Sequence, residues 1–268
     1  MRTWDTKQIL RSLDLSDDVA MADDVIDVRT SEYRLLRYPE RLLSPTFPPA
    51  QVAWSKASRS FDVVFDEVVE IVRGWGVDAV HWWVTAATQP TETEAMLRSR
   101  GGKLSDSYQI FARELAANSL GLQAPEDVIV ELVHDERTLR AALSVEERGW
   151  GRGPLDERGL AYRLAETLGA LENWSEFQLV AFIGEEPAST GRCTLDGEVA
   201  RLWGAVTVLE FRRRGCYGAI LSERACHAQA RGATLALTRG RPLTSGPTLE
   251  RAGFTSHGEE RCYRVDVS

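Results

Sequence analysis

Between Thr207 and Leu221 the sequence reads TVLEFRRRGCYGAIL, and here its residue types point most directly to chemistry. Three consecutive arginines, Arg212, Arg213 and Arg214, precede Gly215 where an apolar stretch passes into a helix-forming one. The first amides of a helix lack intrahelical partners, and the helix dipole makes that end positive. A glycine there permits close approach of an anion to the backbone. The junction is therefore a candidate phosphate-binding turn, to be weighed against the plainer reading of a solvated arginine cap.

Groups for proton transfer are less well marked. Glu198, Glu210, Glu185 and His257 are base candidates by nearness in sequence, and each is more readily read as a solvated surface group. His81-Trp82-Trp83 could form an aromatic platform, but strand alternation accounts for it as core or domain interface. Gly149-Trp150-Gly151-Arg152-Gly153 follows a helix rather than a strand, the wrong context for a dinucleotide loop. The four histidines, His81, His134, His227 and His257, lack metal-binding spacing. Cys193, Cys216, Cys226 and Cys262 form no C-x-x-C pair, so they read as idle or buried thiols. Neither a Gly-x-Ser-x-Gly elbow nor a Walker loop occurs.

The elements that must position the junction alternate between strands and helices. Ser60 is an N-cap candidate before FDVVFDEVVEIV, whose apolar residues Phe61, Val64, Phe65, Val68, Ile71 and Val72 share one helical face. A strand at 79–85, a helix at 91–100 and a strand at 106–115 follow. Ala124-Pro125-Glu126 reads as a linker. Beyond it come a strand at 128–133, helices over DERTLRAALSVEERGW and 156–172, and a strand at 177–183. A further strand runs through Arg192 to Thr194, and Asp196-Gly197 marks a hairpin. A buried strand at 200–209 then leads into the arginine run and a helix ending at Gly232. ATLALT, PTLERA (247–252) and RCYRVDV close the chain as strand, helix and strand. Segments 95–102 and 248–254 are comparable short helices ending near glycine, a weak internal repeat set against the alternation common to all α/β chains.

The 268 residues, 43% hydrophobic and 27% charged, describe a globular chain with room for two modest domains. A net charge of −8 argues against a phosphate-backbone binder, so no nucleic-acid partner is expected. Lys7, Lys56 and Lys103 are the only lysines, a bias that suggests a GC-rich genome. No stretch approaches the roughly 18 apolar residues of a membrane span, and the opening residues lack a secretory apolar region. A cytoplasmic protein without membrane partners is expected. Asp14, Asp17, Asp18, Asp23 and Asp24 make residues 1–27 a polar appendage with at most a short helix.

With those residues in view, the chain resembles the GCN5-related N-acetyltransferases, whose acetyl-CoA site is a strand followed by an R/Q-x-x-G-x-G/A loop. Here that loop is Arg212-Arg213-Arg214-Gly215-Cys216-Tyr217, followed by Gly218. The resemblance covers about 127–268, including the Gly253-Phe254 pair, and within it 204–262 look most like a bacterial subgroup with Tyr after the motif glycine. It implies an α/β (α+β) fold of two acetyltransferase-like domains, each a mixed, mostly antiparallel sheet flanked by helices. Residues 28–123 would be a degenerate copy, lacking the glycine-rich loop, and 127–268 the catalytic domain.

The resemblance further implies acetyl-CoA as co-substrate, no metal, and transfer of acetyl to an amine of a small molecule or peptide. CoA would be gripped near Thr207 and Val208, by amides from Arg213 to Gly218, and at the pantetheine arm near Ser245. The strand amides would polarise the thioester carbonyl. Two departures stand out: Leu249 occupies the place of the tyrosine acid of many relatives, and Tyr217 replaces the second motif glycine. Glu198 and Glu210 remain the base candidates. A non-catalytic acyl-CoA-binding regulatory module is the alternative, and a scaffold that binds no CoA a third. Two copies of one fold are compatible with a monomer or a homodimer.

Overall fold

The computed structural model describes residues 3–16, 24–40, 43, 48–115 and 120–267. Asp17, Asp18 and Asp23 of the acidic stretch lie outside the described residues. In chain order, helix α1 (Thr6–Ser16) precedes strands β1 (Ile26–Arg29), β2 (Tyr33–Arg37) and β3 (Ala50–Ser55). Helix α2 (Phe61–Gly74), strand β4 (Ala79–Val84), helix α3 (Thr93–Ser99) and strand β5 (Lys103–Glu114) follow. The second half begins with β6 (Val128–Leu132), α4 (Glu136–Trp150), α5 (Glu157–Glu172), β7 (Glu176–Ile183), β8 (Glu186–Asp196) and β9 (Val199–Thr207). A short 3-10 turn at Leu209–Phe211 leads to α6 (Cys216–Gln229), β10 (Leu235–Gly240), α7 (Gly246–Arg251) and β11 (Thr255–Asp266).

These elements form two compact units: an N-terminal unit of Leu10–Gln109 with Gly258–Ser268, and a C-terminal unit of Met1–Ile9 with Ile110–His257. The division differs from the sequential boundaries 28–123 and 127–268, and strand pairing is the reason. In each half a strand, a crossover helix, a parallel strand, a short helix and a last strand recur: β3–α2–β4–α3–β5 and β9–α6–β10–α7–β11. The last strands are exchanged. β11 pairs antiparallel with β4, from Arg261↔Val84 to Asp266↔Ala79, whereas β5 lies beside β10.

The polar N-terminus is likewise no appendage. The Trp4 amide donates to Glu114 Oε1 at 2.8 Å, its indole N–H donates to Thr234 Oγ1 at 3.2 Å, and both Ile9 and Leu13 of α1 are buried.

In the N-terminal unit β1 to β3 are antiparallel neighbours, and α2 covers them. Its Val64, Phe65, Val68 and Val72 meet Val52, Val80 and Trp82, so Trp82 of the aromatic run serves the core while His81 and Trp83 are half-buried. In the C-terminal unit β6, β7, β8 and β9 are successive antiparallel neighbours, and β10 joins β9 in parallel. On one face α6 brings Ala219, Ile220, Ala225 and Ala228 onto Phe177, Leu179, Cys193 and Leu202. On the other, α4 buries Leu139, Ala142 and Val145, with Val180 and Val206 opposite. Gly149 lets α4 press onto β9, since a Cβ there would lie 2.3 Å from Val206 Cγ2. Among the described residues no helix is long and apolar enough to cross a membrane.

Candidate active site

The site is built around β9, which carries two departures from regular pairing. Against β8 the register runs Leu202↔Cys193 and Trp203↔Arg192, then shifts so that Val206 faces Thr190, leaving a bulge at Gly204, whose φ is +60°. Only glycine adopts that backbone without strain. Against β10 the parallel register ends at Leu202↔Thr238, so β9 runs on from Trp203 to Thr207 without that neighbour. A gap in the sheet thus opens beside the bulge and below the arginine run.

Beyond β9 the chain turns through Leu209–Phe211 to Gly215, which opens α6 with φ +80°. No side chain caps this helix, and the first-turn amides of Cys216, Tyr217 and Gly218 meet no backbone acceptor among the described residues. Gly215 has a second reason to be glycine. A Cβ there would lie 2.5 Å from Pro125 Cγ, so the segment before β6 is packed on the turn. The arginines divide their roles. Arg214 pairs with Asp127 at 2.7 Å, and Arg212 Nε donates to the Thr207 carbonyl at 3.3 Å. Arg213 adopts φ +63° and has no side-chain partner among the described residues.

The remaining sequence-derived residues have these surroundings. The Val208 amide donates to the Ala188 carbonyl at 3.0 Å, so sheet pairing removes it from reach of a ligand. Thr207 Oγ1 shares a hydrogen bond with Ser189 Oγ at 2.9 Å. Cys216 is buried, and burial pushes its thiol up. Ser245 heads α7, with its hydroxyl accepting the Arg241 amide at 2.9 Å. Leu249 is fully buried against Phe111 in the core of this unit, so that position offers no acid.

Of the base candidates, Glu185, Glu198 and Glu210 are exposed and His257 is half-buried. Glu198 lies exposed at the start of β9, roughly 30 Å along the strand from Thr207 at ~3.3 Å per residue. Glu210 pairs with Arg148 at 3.4 Å, and hydrogen bonds from its own backbone and that guanidinium hold its carboxyl below the usual range. Glu185 is an exposed turn residue, and His257 bonds to Thr255 and Thr6.

On the α4 face of the sheet lies a polar cluster that sequence reading passed over. The buried Glu146 accepts from Arg192 Nη2 at 3.1 Å, Gln178 Nε2 at 3.1 Å and Arg152 Nη1 at 3.3 Å. Burial pushes its carboxyl up, opposed by Arg163 and Arg152. Arg192 also reaches Glu176 at 3.5 Å and stacks 5.3 Å from the Trp203 ring centroid. Buried Arg152 Nε and Gln178 Oε1 have no partner among the described residues. A lone Arg between apolar strand residues was the available signal, but its partners come from α4 and β7.

The chain has the fold of the GCN5-related N-acetyltransferases. A member from Kribbella flavida matches with 14% identity over 90% of this chain and 89% of its own, at a TM-score of 0.61. One from Sphaerobacter thermophilus matches with 16% identity over 88% and 81%, at 0.62. A tandem acetyltransferase of the clavulanic acid biosynthesis pathway matches with 14% identity over 88% and 78%, at 0.60. No protein-family model and no curated sequence matches. In this fold the tandem arrangement accounts for both units, and the open helix start belongs to the C-terminal one. Among the described residues no cluster of three or more His, Cys, Asp or Glu is placed to hold a metal.

Proposed function

We propose that the protein is an acyl-CoA-dependent N-acyltransferase, with acetyl-CoA as donor and an amine as acceptor, and that its C-terminal unit is catalytic. The observation that carries this reading is the uncapped start of α6 beside the gap between β9 and β10. Amides of Cys216, Tyr217 and Gly218, with the Arg213 guanidinium, would take the diphosphate, and Ser245 would lie along the pantetheine arm. The Gly204 bulge would place a main-chain amide at the thioester carbonyl in place of Val208.

The chemistry follows from that placement. An amine nitrogen attacks the thioester carbon, the oxygen takes up negative charge beside the bulge amide, and the C–S bond breaks to release CoA thiolate, which takes the proton lost by the amine. Positioning of two substrates in line supplies most of the rate. The N-terminal unit would bind no diphosphate, because the turn before α2 already holds a carboxylate: Glu32 Oε1 accepts the amides of Ser58 and Arg59, both at 2.8 Å.

Calorimetry with acetyl-CoA tests the reading, with saturable binding expected and none at millimolar ligand overturning it. Release of CoA in the presence of an amine panel separates an enzyme from a protein that only binds the thioester.

A further inference from the structure

Arg224, on the third turn of α6, is fully buried and carries no carboxylate partner among its described bonds. Its Nη1 donates to the carbonyl of Arg192 at 3.1 Å and to that of Trp203 at 3.3 Å, the paired residues of β8 and β9 immediately before the bulge. Its Nε donates back to the Ile220 carbonyl at 3.4 Å. The Tyr217 hydroxyl, seven residues earlier on the same helix, lies near enough to this guanidinium to interact with it. Gly191 makes room for it, since a Cβ there would lie 3.1 Å from Arg224 Cζ and 3.2 Å from Nη1.

Strand alternation fixes where the neighbouring amide points. The Glu198 carbonyl accepts the Leu235 amide at 3.1 Å, and the Leu202 carbonyl accepts Thr238 Oγ1 at 2.7 Å, so even-numbered groups of this stretch face β10. The Trp203 carbonyl accordingly faces β8, where Arg224 reaches it. In a trans peptide the N–H opposes the C=O, so the Gly204 N–H is directed to the edge that β10 has left. A cation bonded to the carbonyl of a peptide polarises that peptide and strengthens its N–H as a donor.

We infer that Arg224 is a positioning residue for acyl transfer: held by Tyr217 and admitted by Gly191, it fixes and polarises the Trp203–Gly204 peptide so that the Gly204 amide receives the thioester oxygen. This rests on the acyl-CoA reading above. It also gives Tyr217 a role in the protein interior, in place of the small residue expected at the second motif position.

The test uses acetyl-CoA labelled with 13C at its carbonyl and isotope-edited infrared spectroscopy of the bound thioester, which needs no acceptor. In the unaltered protein the bound carbonyl band lies below that of free acetyl-CoA. Arg224→Met is expected to lose about half or more of that shift, with affinity for CoA itself, which has no thioester carbonyl, changed less than about threefold. Arg224→Lys restores part of the shift, and with any amine that turns over, kcat falls about 10- to 100-fold in Arg224→Met while KM for acetyl-CoA holds. Should Arg224→Met not fold, Tyr217→Phe removes one anchor and is expected to show a smaller loss in the same direction. An unchanged band in the folded variant, or an equal loss of CoA affinity, overturns the inference. No binding of acetyl-CoA by the unaltered protein overturns the acyl-CoA reading itself, and this inference with it.

Discussion

The carboxylate of Glu32 stands 2.8 Å from the backbone amide of Arg59, in the turn that leads into α2. The same oxygen accepts the Ser58 amide and hydroxyl, each at 2.8 Å, and the second oxygen pairs with the Arg59 guanidinium at 2.5 Å. Ser60 then caps α2 through Val63. The N-terminal unit thus closes with its own anion the kind of turn that the C-terminal unit leaves open at Gly215.

That closure has a pH signature. Hydrogen bonds from the Arg59 backbone, Ser58 and the Arg59 side chain hold the Glu32 carboxyl down at about 2. A depressed carboxylate stabilises the fold above its unfolded value near 4.5, and the contribution is lost as pH falls from there toward about 2. Glu32→Gln is expected to lower Tm at pH 7 and to flatten the acid limb between those values, as followed by circular dichroism during pH titration.

Gly215→Ala puts a methyl into Pro125 and a side chain at φ +80°. Tm falls, and the affinity for acetyl-CoA, measured by calorimetry, drops by at least about tenfold as the turn moves. Adding Pro125→Ala recovers part of the Tm by removing the contact, while the dihedral strain remains.

Arg213→Gly separates charge from backbone. The left-handed φ of Arg213 costs about 1 kcal/mol, so the variant keeps or slightly raises Tm. Loss of the guanidinium proposed to meet the diphosphate is expected to weaken acetyl-CoA binding about tenfold, with the remaining affinity less dependent on salt.

Glu146→Ala leaves the guanidinium groups of Arg192 and Arg152 without their shared carboxylate in the interior. Removing one partner of a buried ion pair costs about 3–5 kcal/mol, to be read from urea unfolding. Glu146→Gln retains the shape and is expected to cost less.

Leu249→Tyr does not restore a proton donor. The Leu249 side chain is enclosed by core, and its Cδ1 occupies the space that a Cβ on Gly240 would need. Overpacking lowers stability by about 1–3 kcal/mol, read as a fall in Tm, with no gain in turnover.

Local patterns were sufficient for most elements, because helix faces and caps are written in nearby residues. Ser60 caps α2 as its spacing foretold, Asp135 and Asp156, the first residues of their expected helices, cap α4 and α5, and Gly151 ends α4 with φ +69°. The arginine-glycine turn at 212–215 was legible for the same reason: strand, turn and helix start are contiguous.

Tertiary structure alone decided what depends on distant segments meeting. The exchange of β5 and β11 follows from which strand edges pair, and no periodicity records an edge. Pro125 on Gly215, Glu32 in the turn before α2, and Arg192 between Glu146 and Trp203 join residues far apart in the chain. By itself the sequence determined the helices, most strands and the arginine-glycine turn, since short-range backbone preferences fix those. Which amides stayed open, and which arginine stands behind the bulge, was settled only when packing brought opposing charges and carbonyls within bonding distance.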